Sequence, residues 1–463
     1  MSENNSLFQR LIGAWREISG SNSVSGGFSP DLSANDDLRK LEKQMVACLD
    51  ARGGEVSARA RAADLGRTYL ALNETGRKRF LGIVAEKFGP DNAAIESAVT
   101  VLEVAGPETR ASAQEALRKA LEPPRTRLMT QFNALPEGVK FLVDLRSDLI
   151  GFADTPALKS LDSDLRQLLT SWFDVGFLEL RRITWNSPAS LLEKLIAYEA
   201  VHEIRSWDDL KNRLAADRRL FAFFHPRMPD EPLIFVQVAL VKGLAGSVTA
   251  LLDESAPDGD PKEADTAIFY SISNAQKGLV GISFGGFLIK RVVDELQSEF
   301  VGLKTFSTLS PIPSFARWVK SALDSEAGLL GAEDRSTLAG VFGEGDGRAA
   351  LRRVLDDSSW ADDPAKAGVL EPVLTRLCAR YLLMERNERG RSRDPVAHFH
   401  LTNGARVERI NWLADTSAQG LSQSCGMMVN YLYNLDRIET NHERYTGDGK
   451  VAASTAVNRI LKK

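Results

Sequence analysis

The chain has 463 residues, of which 43% are hydrophobic and 26% are charged, as is ordinary for a folded globular protein. Its formal net charge of −4 argues against a nucleic-acid partner, whose contact surface is usually basic. Cys48, Cys378 and Cys425 are far apart and odd in number, so neither a disulfide framework nor a structural zinc site is expected. A secretory signal and a run of about 18 apolar residues are both lacking, which predicts a cytoplasmic protein without a membrane span.

The first half of the chain predicts helices. Apolar residues recur at helical spacing between about residues 36 and 50, and good helix formers dominate as far as about residue 120. Further helical patterns cover residues 141–149 and 165–169, and no strand-like alternation occurs before about residue 178. Because reactive residues do not cluster there, we expect residues 1–170 to form a helical bundle that serves packing or oligomerisation.

The second half changes in composition. Runs rich in β-branched and aromatic residues predict four strands, at residues 232–241, 266–273, 303–309 and 396–401. Helical stretches lie between some of them. Mixed strands and helices after an all-helical half predict a second domain of the α/β or α+β class, over residues 171–463.

A glycine-rich stretch, QKGLVGISFGG, follows the predicted strand that ends near Ser273 and precedes a predicted helix that begins near Phe287. Free backbone N–H groups and the helix dipole meet at such a turn, and glycine allows an anion to approach the backbone. The stretch matches neither the dinucleotide-binding fingerprint nor the Walker A loop. It is therefore either a phosphate site or only a tight turn before a core helix.

The stretch FSTLSPIPSF brings a predicted strand into two prolines. Pro311 favours an extended conformation at Ser310 and has no N–H group of its own. Ser310 is thus held at a rigid strand end, which suits a positioned hydroxyl, although a serine-proline turn without chemistry fits the same pattern.

The stretch DPVAHFHLTNG carries two of the five histidines. If residues 396–401 form a strand, His398 and His400 share one face. A metal pair is conceivable, but a third ligand is not apparent, and one acid/base histidine is more economical. Either histidine alone could also be a packing residue. Asn403-Gly404 predicts a hairpin with a return strand over residues 405–412.

The last informative stretch is GLSQSCGMMVNYLY. It predicts a Ser/Gly loop that enters a helix through Met427, Met428, Tyr431 and Leu432. Cys425 is not expected to be a nucleophile, because no base can be assigned to it and cysteine is often simply buried. Tyr431 and Tyr433 are candidates for lining a substrate pocket.

Together these stretches resemble the malonyl-CoA decarboxylase family. The resemblance covers roughly residues 177–445 and rests on long blocks in the same order: FLELRRITWNSP, FYSIS, FLIKRVV, FSTLSPIP, PVAHFHLTNGA, RINW with the following AD, and SCG with the following NY. It implies decarboxylation of malonyl-CoA to acetyl-CoA and carbon dioxide without a metal or an organic cofactor. It also implies a helical N-terminal domain and a catalytic domain that resembles the GCN5-related N-acetyltransferase fold. The amphipathic helices of the first half separately predict a homo-oligomer, a dimer or tetramer.

The resemblance also assigns residues. The serine before Pro-Ile-Pro matches Ser310, a proton acceptor in the family, and the second histidine of the His-Phe-His segment matches His400, the proton donor. His398 stands where relatives can carry asparagine. The implied counterpart of the CoA pyrophosphate turn consists of Val280, Gly281, Ile282, Ser283, Phe284, Gly285 and Gly286. Ser310, His400 and Tyr433 complete the expected substrate site.

Two other functions remain open at this stage. An acetyltransferase-like enzyme would use the same CoA cradle to acylate an amine, and a CoA-ester sensor would bind without turnover. The presence of both Ser310 and His400 argues against the sensor. Detection of acetyl-CoA after incubation with malonyl-CoA separates the decarboxylase from both alternatives.

Overall fold

The structure is a computed structural model, and it describes residues 11–18, 27–34, 36–50, 54–282, 287–343 and 345–461. The chain divides into two compact units. The first consists of Met1–Leu178, His225–Pro232 and Gln276–Ser283, and the second of Glu179–Phe224, Leu233–Ala275 and Phe284–Lys463. Within the described parts, no helix is both long and apolar enough to cross a membrane.

Helices make up most of the first unit, as the sequence predicts. They are α1 (residues 11–18), α2 (Asp37–Leu49), α3 (Gly54–Ala71), α4 (Glu74–Lys87), α5 (Asn92–Glu103), α6 (Arg110–Leu121), α7 (Pro124–Asn133), α8 (Gly138–Phe152) and α9 (Pro156–Trp172). Polar residues begin several of them: the Asn73 side chain accepts a hydrogen bond from the backbone of Gly76, and Thr155 accepts one from Leu158. Proline at the first position of α7 and α9 also favours helix initiation.

An aromatic cluster forms the centre of the helical unit. The ring of Phe141 on α8 lies 5.0 Å from that of Trp15, 5.7 Å from that of Tyr69 and 4.9 Å from that of Phe132. The three edge-on or tilted contacts are favourable for aromatic quadrupoles, and the rings are almost fully buried. Burial of such large apolar surfaces is the main source of stability for helices that come from distant parts of the chain.

The described residues of the second half form an eight-stranded sheet. Its strands are β1 (Glu179–Ile183), β2 (Arg218–His225), β3 (Met228–Val241), β4 (Thr266–Asn274), β5 (Thr305–Thr308), β6 (Ser310–Pro311), β7 (Arg406–Asn411) and β8 (Met428–Leu432). Neighbours follow the order β1-β2-β3-β4-β5-β8-β6, and β7 also pairs with β8. The first three predicted strands are confirmed as β3, β4 and β5.

The pairing of β4 with β5 ends before β4 itself does. Strands β4 and β5 run parallel from Thr266 and Thr305 as far as Phe269 and Thr308, whereas the pairs β1–β2, β3–β4 and β7–β8 are antiparallel. Strand β4 then continues to Asn274, while the chain after β5 pairs with β8 instead. The serine of the Ser-Pro motif therefore lies at the point where two neighbouring strands part.

Twelve helices are described in the second unit. They are α10 (Ala189–Tyr198), α11 (Trp207–Asn212), α12 (Val248–Leu251), α13 (Phe287–Glu299), α14 (Phe315–Ser325), α15 (Ala332–Phe342), α16 (Gly347–Asp356), α17 (Pro364–Leu383), α18 (Pro395–Thr402), α19 (Ala418–Ser424), α20 (Ile438–Asp448) and α21 (Thr455–Ile460). Helix α13 confirms the helix predicted after the glycine-rich turn, and it connects the parallel strands β4 and β5 in the chain.

The predicted strand at residues 396–401 is wrong, because these residues belong to helix α18. Its start carries a strong helix signal: the Asp394 side chain accepts hydrogen bonds from the backbone N–H groups of Val396 and Ala397, and Pro395 occupies the first turn. The helix-starting effect of the Asp394 cap and of Pro395 is stronger than the strand preference indicated by the alternation of apolar residues and histidines.

The predicted hairpin at Asn403-Gly404 is also wrong. Asn403 ends helix α18, and Gly404 follows with a φ of +79°, a conformation that glycine adopts at little cost. The predicted return strand exists as β7, but its partner is β8. The Asn-Gly pair thus ends a helix. A helix end and a hairpin turn both favour a residue that tolerates a left-handed backbone, so the sequence signal is the same.

The predicted Ser/Gly loop and following helix between residues 418 and 432 are both wrong, because the structure has a helix followed by a strand there. The Ser/Gly stretch forms helix α19, and the residues from Met428 onward form strand β8. Cys425 with a φ of 54° and Gly426 with a φ of 74° turn the chain between the two. Pairing of β8 with β5, β6 and β7 supplies hydrogen bonds that local propensity does not reveal.

Replacement of Gly404 by alanine should destabilise the protein far more than the same change at Gly390. Both glycines have positive φ, so both variants share the left-handed strain. A Cβ at Gly404 would lie 2.2 Å from the carbonyl oxygen of Ile438, whereas at Gly390 it would meet open space. We expect an additional loss of about 1–3 kcal/mol in Gly404→Ala, seen as a lower midpoint of thermal unfolding. Equal midpoints for the two variants would contradict the packing around α18.

Candidate active site

A serine and a histidine from distant segments meet inside the second unit. Ser310 Oγ lies 3.0 Å from His400 Nε2, and the two residues are only 5% and 3% exposed. Strand β6 holds Ser310 opposite Val429 of β8, and helix α18 carries His400. The structure therefore brings together the two residues that the family resemblance assigns, in a site from which bulk water is largely excluded.

Further hydrogen bonds extend from this pair in both directions. Ser310 Oγ donates to Thr308 Oγ1 at 2.8 Å, and the same Thr308 oxygen accepts the backbone N–H of Tyr431 at 3.1 Å. On the other side, Tyr433 OH lies 2.8 Å from His400 Nδ1. Tyr433 was a candidate pocket residue, whereas nothing in the sequence distinguishes Thr308.

The protonation of the imidazole follows from the buried tyrosine. In the part of the chain that the structure describes, the Tyr433 hydroxyl has a hydrogen bond to His400 Nδ1 alone, and its proton needs an acceptor. Tyr433 therefore donates to Nδ1, which leaves the proton of the neutral ring on Nε2. The Nε2–H group then donates to Ser310 Oγ, and Ser310 donates in turn to Thr308.

Electrostatics agrees with a neutral imidazole. Burial lowers the pKa of His400 to about 3. The ring of Tyr431 stacks on the imidazole with centroids 4.7 Å apart and planes at 25°, and burial keeps the phenols of Tyr431 and Tyr433 protonated by raising the pKa of each. The site thus holds a hydroxyl, a neutral imidazole and two neutral phenols.

His398 does not share a face with His400, contrary to the prediction from a strand. Residues two apart on a helix point about 200° away from each other. The Nδ1 atom of His398 lies 2.8 Å from Tyr445 OH, whereas His400 contacts Ser310 and Tyr433. In the stretches that the structure describes, no group of three or more His, Cys, Asp or Glu side chains is arranged to hold a metal ion.

Cys425 carries no nucleophilic character in this fold. The residue is 1% exposed, and burial raises the pKa of its thiol to about 12. The thiolate needed for attack is therefore essentially absent near neutral pH, in agreement with the expectation from sequence.

The glycine-rich turn is described only at its start. Ser283, Phe284, Gly285 and Gly286 lie outside the described residues, whereas Val280, Gly281 and Ile282 are described in the first unit. Arg146 of α8 donates to the carbonyl oxygens of Gly278 at 2.7 Å and Val280 at 2.9 Å.

The approach of α8 to this segment is close. A Cβ on Gly278 would lie 1.8 Å from the carbonyl oxygen of Val143, so only glycine fits there. The entry to the turn is thus firmly held by the helical part of the chain, a contribution that the sequence does not reveal.

An arginine of helix α9 lies beside the same turn. A Cβ built on Gly281 would be 3.7 Å from Arg166 Cδ and 3.9 Å from its Nη1, and Gly281 itself has a φ of +80°. Arg166 is exposed, and no ion pair involves it among the residues that the structure covers. A cationic group is therefore available next to a backbone that can approach an anion.

A buried hydroxyl–imidazole pair on a mixed sheet is typical of an acid–base enzyme. Comparison with known protein families shows which kind of enzyme this is. The profile of the malonyl-CoA decarboxylase C-terminal domain matches residues 176–463, and that of the N-terminal domain matches residues 88–173. The chain belongs to the malonyl-CoA decarboxylase family, whose members are carboxy-lyases.

Individual relatives agree in sequence along most of the chain. The mitochondrial malonyl-CoA decarboxylase of Anser anser anser is 38% identical over 469 residues, covering 97% of this chain and 92% of that protein. The mitochondrial enzyme of Rattus norvegicus is 38% identical over 423 residues, covering 87% of this chain and 86% of its own length.

Solved structures agree as well. The malonyl-CoA decarboxylase of Rhodopseudomonas palustris is 44% identical with a TM-score of 0.83, over 91% of this chain and 99% of that one. The enzyme of Agrobacterium vitis is also 44% identical with a TM-score of 0.83, over 92% of this chain and 100% of that one.

Loss of the Tyr433 hydroxyl should impair turnover, whereas loss of the Tyr431 hydroxyl should not. Tyr433→Phe removes the donor to His400 Nδ1 and leaves the ring tautomer unspecified, so we expect kcat to fall about tenfold, the equivalent of one hydrogen bond. Tyr431 OH has no hydrogen-bond partner among the described residues, and Tyr431→Phe keeps the ring on His400. Steady-state kinetics with malonyl-CoA measures both, and equal values of kcat for the two variants would disprove the tautomer assignment.

Proposed function

We propose that this chain converts malonyl-CoA to acetyl-CoA and carbon dioxide by acid–base chemistry at Ser310 and His400. The observation that carries the proposal is the 3.0 Å contact between Ser310 Oγ and His400 Nε2 inside a buried site. Membership in the malonyl-CoA decarboxylase family supplies the substrate.

The reaction breaks the bond between the α carbon and the carboxylate of the malonyl group. Carbon dioxide leaves, and the electron pair remains on the α carbon as the enolate of the thioester. A proton then joins that carbon to give acetyl-CoA, so that one proton is consumed in each turnover. The protein has to orient the carboxylate, strip it of water, stabilise the enolate oxygen and deliver the proton.

Burial of the site favours the first step. Ser310 and His400 are nearly inaccessible, and Tyr431 and Thr308 next to them are fully buried. A carboxylate in such surroundings loses its hydration, which destabilises the charge that carbon dioxide release disperses. The Ser310 hydroxyl, which donates to Thr308 in the free protein, would turn its proton to the carboxylate or the forming enolate, and a donor at a developing oxyanion is typically worth about 3–4 kcal/mol.

His400 supplies the proton. Burial lowers its pKa to about 3 in the free protein, but the negative charge of a bound carboxylate, and then of the enolate, favours uptake of a second proton from solvent, so that the ring is neutral again once the α carbon has received a proton. The Nε2–H group that faces Ser310 is the one directed at the reacting centre.

We further propose that no metal and no organic cofactor takes part. The thioester carbonyl already stabilises the carbanion that forms, so the chemistry needs no additional electron sink. The groups that are required, one hydrogen-bond donor and one proton donor, are both side chains of this chain.

The CoA moiety is proposed to bind through its phosphates at residues 280–286. Two described features support this location: Gly281 has a left-handed backbone and no side chain, and Arg166, which has no ion pair among the described residues, lies beside it. Arginine recognises phosphate by paired hydrogen bonds as well as by charge. Arg146 would act indirectly, because its contacts with Gly278 and Val280 fix the backbone at the start of the turn.

The catalytic domain is proposed to resemble the GCN5-related N-acetyltransferase fold. The support is the parallel pair β4–β5, whose pairing ends at Phe269 and Thr308, after which the chain continues into Ser310 beside β8. An acyl-CoA ligand bound where the two strands stop pairing would bring its thioester towards the serine.

Residues 1–170 are proposed to mediate self-association into a dimer or tetramer of a cytoplasmic enzyme. The support lies in α5 and α6, which bury only Ala98 and Ala113 between them. Their outer surface exposes Val101, Val104 and Leu121 to 51%, 81% and 51%, which is an apolar surface for a second copy to cover.

Removal of either member of the pair should abolish most turnover. We expect Ser310→Ala and His400→Ala each to lower kcat by at least about 10²-fold, and to change KM much less because most affinity comes from the CoA moiety. If the two residues act as one unit, the double variant should be little worse than the worse single variant. Steady-state kinetics, with circular dichroism to verify folding, gives the answer.

His398→Asn is the matched control for these variants. His398 lies on the same helix but contacts Tyr445, so this variant should keep most activity. Near-normal turnover in a folded His400→Ala protein would overturn the assignment of the proton donor. Full activity of Ser310→Ala would move the hydroxyl function to another residue.

Charge removal at Arg166 should weaken substrate binding selectively. We expect Arg166→Gln to raise KM for malonyl-CoA about threefold to tenfold, with kcat unchanged, as for the loss of one charge-assisted contact. Arg110→Gln, also an exposed helical arginine of the first unit, is the control and should leave KM unaltered. The effect should vanish with malonyl-pantetheine, which lacks the phosphates. An equal effect on both substrates would refute a phosphate contact.

A further inference from the structure

Asp394 is a buried carboxylate that the chemistry above does not use. It is 1% exposed and stands immediately before helix α18, which carries His400. One of its oxygens, Oδ1, accepts the backbone N–H groups of Val396 and Ala397, each at 3.0 Å. The carboxylate thereby fixes the first turn of the helix and, through it, the position of the imidazole.

The other oxygen contacts the segment that carries Ser310. Asp394 Oδ2 accepts the backbone N–H of Ser314 at 3.4 Å, just beyond the Pro-Ile-Pro sequence that follows the serine. The prolines make this short segment stiff, so a hold on Ser314 restrains Ser310 as well. A single side chain thus bonds to both segments that form the Ser310–His400 pair.

We infer that Asp394 is a positioning residue that holds Ser310 and His400 at hydrogen-bond distance, and that it does so best as a carboxylate. This inference rests on the proposed function. Asp394 does not touch the reacting groups. An ionised carboxylate accepts all three N–H groups, whereas a protonated one loses acceptor strength at one oxygen.

The charge state of Asp394 is sensitive to pH in a useful range. Burial raises the pKa of its carboxyl to about 6, despite the three backbone hydrogen bonds that lower it. The ionisable side chains that face it are Cys378 and Tyr381 of α17 and Tyr431 of β8, and burial raises the pKa of each, so they are neutral near pH 7. Arg393 is adjacent in the chain and exposed.

The sign of the effect follows directly. Above about pH 6 Asp394 is ionised and the pair is held, and as pH falls through about 6 the carboxyl gains a proton and the hold weakens. The pKa of His400 in the free protein is about 3, so that ring does not titrate in this range. Loss of kcat/KM between pH 7 and 5 would therefore report Asp394 together with any titration of the substrate.

The chain offers a matched control in Asp363. Like Asp394, Asp363 precedes a proline and accepts two backbone N–H groups, those of Ala365 and Lys366, at the start of helix α17. Its side chain is 41% exposed. Asp363→Asn thus tests the loss of a helix-capping charge without a contact to the site.

The experiment compares Asp394→Asn and Asp363→Asn with the unaltered full-length protein, with malonyl-CoA as substrate. Asparagine keeps an acceptor for the first turn of α18 but turns an N–H₂ group towards the N–H of Ser314. We expect kcat of Asp394→Asn to fall at least tenfold while KM stays within about twofold, and Asp363→Asn to match the unaltered protein. Similar kcat values for all three proteins would overturn the inference.

The pH profile of kcat/KM separates positioning from a structural effect. The unaltered protein and Asp363→Asn should lose kcat/KM as pH falls through about 6, and this limb should be reduced or absent in Asp394→Asn. Titration of the CoA phosphates is common to all three proteins and cancels in the comparison. An identical acid limb in Asp394→Asn would assign it elsewhere and refute the role of the charge.

The inference remains testable if the variant does not fold or if the unaltered protein is inactive. If Asp394→Asn does not fold, as judged by circular dichroism, the profile of the unaltered protein still tests the inference, because a flat kcat/KM between pH 5 and 7 contradicts it. If the unaltered protein does not decarboxylate malonyl-CoA at all, the proposed function fails first. Turnover by the unaltered protein with an unaffected Asp394→Asn variant refutes the positioning role alone.

Discussion

The hydrogen bond between Ser310 and His400 imposes the main constraint on this fold, because it requires an imidazole in a site almost without water. A buried histidine is tolerable only when it is neutral and its ring nitrogens are satisfied. Here the partners are hydroxyl groups, Ser310 on one side and Tyr433 on the other, and burial is the whole cause of the low pKa of His400. The pair therefore differs from a serine–histidine–carboxylate triad, in which a negative charge stabilises the imidazolium.

This arrangement suits a reaction whose substrate brings its own negative charge. A fixed carboxylate beside His400 would repel the malonyl carboxylate and stabilise the charged ring before substrate arrives. With neutral phenols around the ring, the change in charge of the site comes from the substrate itself. The carboxylate of Asp394 does not contact the imidazole, and it accepts backbone N–H groups at the start of α18.

Sequence reasoning succeeds here where a single pattern dominates. The β-branched run at residues 232–241 and the apolar helical spacing from Phe287 onward are strong enough to determine β3 and α13. It fails at residues 396–401, where alternating residues predict a strand although Asp394-Pro395 starts a helix. It fails again at β8, because methionine and tyrosine there pair with strands far away in the chain.

The site shows the same limits. Ser310 and His400 are recognisable through the family resemblance, but the sequence gives no reason to connect Thr308 with the serine or Tyr433 with Nδ1 of the histidine. Those contacts depend on how β5, β6, β8 and α18 pack together, which the local spacing of residues does not predict. The role of Arg146 is hidden for the same reason, since its carbonyl partners are 132 and 134 residues away.

The long sequence separations between residues of the site affect how the chain folds. Ser310 and His400 are 90 residues apart, and the backbone of Tyr431 bonds to Thr308 across 123 residues. Contacts of this kind form late, because the entropy of closing such long loops is lost before the contacts repay it. During synthesis, the ribosome has released almost the entire chain before β8 can insert between β5 and β7. A growing chain therefore leaves the edge of β5 without its β8 partner while the residues between Thr308 and Met428 are made, and the Ser310–His400 pair can form only late in synthesis.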